Sequence, residues 1–169
     1  MAAPTLVVAV DLANNSAHVT DFAVEMAGRL KARVALVHAM TLAPGVRADT
    51  IVSAPGKEAI GALDLLEADA RKHTAALVSL FEGAGIPTEL VLGHGAPAEV
   101  IGNAASEQGA FMVLLGAPKT SRMPKLWGQD LCTAVVERCS APVLLVKRTE
   151  KAEQTYSTAQ FQMMAEVDG

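Results

Sequence analysis

Between Gly116 and Pro142 the chain reads GAPKTSRMPKLWGQDLCTAVVERCSAP, and its clearest chemistry lies there. An apolar run, Phe111 to Leu115, stops at Gly116. A basic loop with Lys119, Arg122 and Lys125 follows, then a helical stretch entered near Trp127, then a second apolar run from Val143 to Val146. This order can hold phosphate: a helix start leaves backbone N–H groups without internal partners, and its dipole favours an anion. Asp11 closes another apolar run ahead of a helical stretch. It either meets a ligand or caps the local turn.

Other chemistries find less support. His18, His38, His73 and His94 are scattered, and none pairs with Cys, Asp or Glu at a metal-binding spacing. His38 reads as a strand residue in the core, and His94 lies in a turn. Cys132 and Cys139 are seven apart on one predicted helix, a rise of roughly 10.5 Å, too long for a disulfide. Two unpaired core thiols fit a reducing cytosol. There is no Gly-x-Ser-x-Gly elbow and no Gly-x-x-x-x-Gly-Lys-Ser/Thr loop. A phospho-receiver domain would need paired acids after its first strand, where Asp11 stands alone. With no base, nucleophile or metal set, the sequence reads as a protein that is not an enzyme.

The elements that must position these residues alternate along the chain. Strands are predicted at Thr5–Val10, Val34–Ala39, Thr88–Leu92, Phe111–Leu115 and Val143–Val146, as apolar runs of strand length. Helical spacing marks residues 16–30, where Phe22, Ala23, Met26, Ala27 and Leu30 share a face. A long helix is predicted from Lys57 to Glu82, with Ile60, Leu63, Leu66, Ala70, Leu77 and Phe81 on its stripe. Another begins at Pro97, a residue suited to a first helical turn. Residues 40–57 hold two Pro-Gly pairs and read as an irregular connection.

Five strands alternating with four helices predict an α/β fold: one doubly wound parallel sheet, Rossmann-like, with helices on both faces. In such sheets ligands bind beyond the carboxyl ends of the strands, near the point where strand order reverses. Asp11, Ala39, Gly93 and Gly116 end strands and would ring that crevice. The expected organisation is one α/β domain over 1–148 and a polar tail over 149–169, flexible or a docking helix.

Composition bounds the partners. Hydrophobic residues make up 51% and aromatics only 4%, so an aliphatic core is expected. A net charge of −4 argues against general affinity for nucleic acid. No apolar run is long enough to span a bilayer. The amino end, MAAPTLVVAVD, lacks a basic region before its short apolar run; it reads as a core strand rather than a signal peptide, and the expected location is cytoplasmic.

Four segments together resemble the universal stress protein family. The strand ending at Asp11 with LANNSAHVTDFAVEMA after it, LVHAM at Leu36–Met40, HGAPAEVIGNAASEQGAFMVLLG, and SAPVLLVK occur in that family's order over roughly Thr5 to Lys147. The resemblance implies strand order 3-2-1-4-5. It also implies a loop after strand four of the form Gly-x-x-Gly-x9-Gly-Ser/Thr in ATP-binding members. Carried over, the first glycine is Gly116, the second falls on Lys119, the third on Gln129 with Gly128 one place early, and the hydroxyl on Asp130. Arg122 lies between, and Leu12-Ala13 replaces the family's Gly-Ser after Asp11. Asp11 and Ala39 occupy positions that would meet adenine and ribose.

Two functions follow from the resemblance. One is a homodimeric regulatory and interaction module of the stress response, its nucleotide site degraded, dimerising through strand five (Ala141 to Lys147). The other is a switch that binds ATP or AMP in the crevice formed by Asp11, Ala39, Gly116, Lys119, Arg122, Gly128, Gln129 and Asp130.

Overall fold

The structure, a computed structural model, describes residues 3–12, 17–53, 59–117 and 128–147. Lys119, Arg122, Lys125, Trp127 and the expected tail at 149–169 lie outside them.

Apolar runs that can be covered on both faces become the strands of one five-stranded sheet. The elements in chain order are β1 (Thr5–Ala9), α1 (Ala17–Leu30), β2 (Arg33–Met40), β3 (Ile51–Val52), β4 (Ile60–Gly61), α2 (Ala62–Gly83), β5 (Thr88–His94), α3 (Pro97–Glu107), β6 (Ala110–Gly116), α4 (Gly128–Arg138) and β7 (Val143–Val146). The main sheet runs β5-β2-β1-β6-β7, and every pairing in it is parallel. Counted along those five strands alone, the order is 3-2-1-4-5. The chain turns outward in one direction from β1 to β2 and in the other from β1 to β6, so the reversal falls at the end of β1.

Alternation along the strands sorts the core into two layers. Leu6, Val8, Val10, Leu36 and Leu114 face one side, where Val19, Ala23 and Ala27 of α1 and Phe81 of α2 cover them. Val7, Ala35, Val37, Val113 and Leu115 face the other, under Ala98, Ile101 and Ala105 of α3 and Val135 of α4. The aliphatic core expected from composition is present, with Phe81 its one fully buried aromatic among the described residues. Two of the buried hydroxyls are satisfied within their own helices: Thr74 donates to the Ala70 carbonyl at 2.8 Å and Thr20 to that of Ala17 at 2.9 Å.

Close approach between layers depends on bare backbone at Gly93. A Cβ there would fall 2.4 Å from Cγ1 of Val100, so β5 and the first turn of α3 meet only because residue 93 has no side chain.

Three local expectations are corrected. The connection after β2 is not wholly irregular, since Ile51–Val52 pairs antiparallel with Ile60–Gly61. Ile60 therefore belongs to this ribbon and not to the helical stripe, and α2 starts at Ala62 behind an extended Gly61. His94 is the last residue of β5, paired with Met40, rather than a turn residue.

Candidate functional site

The site is built at the upper rung of the sheet. Pairing of β1 with β2 continues one residue past β1, through the Val10 N–H donating to the Val37 carbonyl at 2.9 Å. Extending the registers Ala9↔Val37 and Val8↔Leu114 puts Val10 level with His38 and Gly116. Asp11 comes next, exposed and level with Ala39.

Backbone polarity follows from the same alternation, because successive residues of a strand turn their N–H and C=O to opposite sides. Val37 faces β1, so Ala39 does too. On β6, Val113 donates to Pro142 and Ala117 to Val146, so odd residues face β7 and Gly116 faces β1. Ala39 and Gly116 thus turn backbone polar groups inward, from both sides, over the end of β1. Ala39's side chain lies with the α3 and α4 layer.

At Gly116 room is short. A Cβ would sit 3.2 Å from Cγ2 of Val19 and 3.5 Å from Nε2 of His18, both on α1. His18 had no assigned role in the sequence reading; the structure seats its ring against this glycine, with both nitrogens shut off from solvent. Gly128, Gln129 and Asp130 form the first turn of α4, whose helix start supplies backbone N–H groups. Lys119 and Arg122 fall in the segment outside the described residues.

A cavity of about 350 Å³ opens on the α2 side of Asp11, lined by Asp11, Leu12, His38, Leu66, Asp69, Ala70 and His73. That size is at the small end of ligand pockets, roughly 300–1,000 Å³. The Nδ1 of His38 is 3.0 Å from the Val10 carbonyl oxygen. A carbonyl can only accept, so Nδ1 carries a proton and donates to it. His73 repeats the arrangement, with Nδ1 2.8 Å from the Asp69 carbonyl oxygen and 3.4 Å from its Oδ2. Hence His38 is a wall residue, half-buried and hydrogen-bonded. Sequence reasoning had one usable signal for this wall: Leu66, Asp69, Ala70 and His73 recur at helical spacing. It had no means of telling which element that face meets.

Cys132 lies on α4 and Cys139 directly after it, both free and half-buried. Burial pushes both thiols up from their ordinary value, which opposes thiolate chemistry. Among the described residues, no three His, Cys, Asp or Glu are placed to hold a metal ion, and no helix is long and apolar enough to cross a membrane.

Comparison with known proteins brings in the family. The model of the universal stress protein family matches residues 4–147. A universal stress protein from Archaeoglobus fulgidus is 26% identical, with a TM-score of 0.62, over 87% of this chain and all (100%) of that one. A universal stress protein in complex with cAMP is 21% identical, with a TM-score of 0.61, over 87% of this chain and 98% of its own. The universal stress protein from Archaeoglobus fulgidus in complex with dAMP is 23% identical, with a TM-score of 0.59, over 87% and 100%. Curated protein sequences give no match.

Proposed function

The chain belongs to the universal stress protein family, and from that premise we propose that it is a regulatory module that binds a nucleoside monophosphate without turning it over. One observation carries this reading: extending the strand registers sets Ala39 level with Asp11, and Gly116 one step before it, at the end of β1, where the strand order reverses and ligands of such sheets bind. Asp11 and the backbone of Ala39 take the base and ribose end. The phosphate goes to Gly116, to the helix start at Gly128, Gln129 and Asp130, and to Lys119 and Arg122.

Support for a single phosphate comes from two sides. The similar structures with cAMP and dAMP hold ligands with one phosphate group. In this chain Lys119 replaces a glycine and brings positive charge, whereas Asp130 replaces a hydroxyl donor with a carboxylate. Each further phosphate adds negative charge to a loop in which an acid has replaced a donor, so ATP binds more weakly than AMP.

Thermal unfolding with increasing AMP, cAMP or ATP tests this. A ligand at about 100 times its Kd adds roughly 2.7 kcal/mol, and each kcal/mol raises the midpoint of a chain this long by about 2–4 °C. A saturable rise of several degrees with AMP, and a smaller one with ATP at equal concentration, is expected. No rise with any of the three would contradict the reading.

A second reading concerns assembly, and a specific observation favours it. Among the described residues β7 is paired on one side only, with β6, and Leu145 on it is 42% exposed. An open apolar edge invites a further strand. The dimer is placed there, β7 against its copy through Ala141 to Lys147, and the regulatory output is carried by the dimer's protein partners.

A further inference from the structure

The edge of the sheet opposite β7 is β5, paired among the described residues with β2 alone. Its odd residues turn their backbone to β2: the Val34 N–H donates to the Pro87 carbonyl, and the Gly95 N–H to that of Met40. Successive residues alternate, so Thr88, Leu90, Leu92 and His94 direct N–H and C=O outward. The strand lacks the usual protection of an edge. It holds neither lysine nor proline, Glu89 is its one acid, and its register with β2 runs unbroken from Thr88 to His94. Leu90, Val91 and Leu92 are only half-buried, whereas Val34, Ala35, Leu36 and Val37 of β2 are at most 1% exposed. Such an edge is a template for one more strand.

We propose that residues 155–163 of the same chain add to this edge as a sixth strand, antiparallel to β5. Residues 154–165 carry no charge, glycine or proline, and they include Thr155, Tyr156, Thr158 and Phe161, types favoured in strands. As a strand they set Ala159, Phe161 and Met163 on one face and Gln160 with Gln162 on the other, the alternation of a half-covered strand. As a helix they would turn Phe161 away from Tyr156 and Met163. On the α2 side, Leu77, Val78 and Leu90 are half-buried at the rim of the core and give the apolar face its cover. Reach and direction agree. Val146 pairs with Gly116, which is level with Val10 and His38 and so with Leu92; the chain leaves β7 at the height of the upper half of β5. From β7 to a position outside β5 is five strand spacings, roughly 24 Å, and residues 147–154 span up to roughly 26 Å when extended. A chain crossing there descends beside β5, hence antiparallel, an arrangement many parallel sheets carry at an edge. Folding back on β7 would need a tight turn, and Lys147, Arg148, Thr149 and Glu150 supply none of the residues that favour one. The addition does not depend on the nucleotide reading.

Hydrogen exchange of the full chain, resolved to single amides by NMR, tests this against the double variant Gln160→Pro/Phe161→Pro. Two adjacent prolines remove an N–H of each orientation, so one falls on the β5 side whatever the register. In the parent the amides of Leu90 and Leu92 are expected to exchange about ten-fold or more slowly than in the variant, because an added hydrogen bond holds each. The amide of Val91, which faces β2, stays protected in both proteins and shows that the sheet is intact. Equal exchange of Leu90 and Leu92 in parent and variant overturns the proposal. So does protection that is lost on dilution, which would assign the edge to a second copy of the chain.

Discussion

At the residue scale, two glycines, Gly93 and Gly116, sit where an added side chain would be crowded. Gly93 is the sharper case, since its Cβ would lie 2.4 Å from Cγ1 of Val100 and 3.0 Å from Cγ2. Gly93→Ala is expected to destabilise the protein by about 1–3 kcal/mol, the usual cost of overpacking, read from the shift in urea midpoint. Gly93→Ala/Val100→Ala should lose less than the sum of its single variants, because the clash is gone; additive losses would show that α3 does not approach β5 as described. Gly116 and Asp11 could be picked out from the sequence because each ends an apolar run. The part His38 plays could not. Its position on β2 gives a face by alternation, but the helix over that face, and so Asp69 and His73 as neighbours, depends on how α2 returns across the sheet.

Among the elements, the five long strands and four helices were readable because each carries a sustained period, two-sided apolar runs for the strands and a stripe for the helices. The Val143–Val146 run became β7 with the same limits, and the helix limits differ mainly at α2. The β3–β4 ribbon was not readable. Two residues per strand establish no alternation, and the pairing of Ile51 with Gly61 and Val52 with Ile60 is set by tertiary placement. Ile60 fitted a helical stripe equally well until Gly61 adopted its extended conformation. With Ile51 66% exposed and only two paired positions per strand, the ribbon should open far more easily than the main sheet. Native-state hydrogen exchange is expected to show the amides of residues 51, 52, 60 and 61 exchanging orders of magnitude faster than those of Val7, Val8 and Leu36. Comparable protection would mean that something covers the ribbon in solution.

For the whole molecule, the account joins an anion-binding crevice at the strand ends to a dimer at one sheet edge. The edge claim is open to a single substitution. Leu145 is partly exposed on β7, and Leu145→Glu would place like charges across a two-fold strand pairing, which is destabilising. Light scattering at micromolar concentration should find the parent protein as a dimer and the variant as a monomer with an unchanged unfolding profile at low concentration. A parent already monomeric would remove the assembly from the account. The crevice claim is more central, and calorimetric titration of AMP into the purified protein and into Asp11→Ala tests it most directly. The account predicts saturable one-site binding to the parent and at least about ten-fold weaker binding to the variant, as expected for a lost charge-assisted hydrogen bond. Absence of binding to the parent, or equal binding to both proteins, would contradict it.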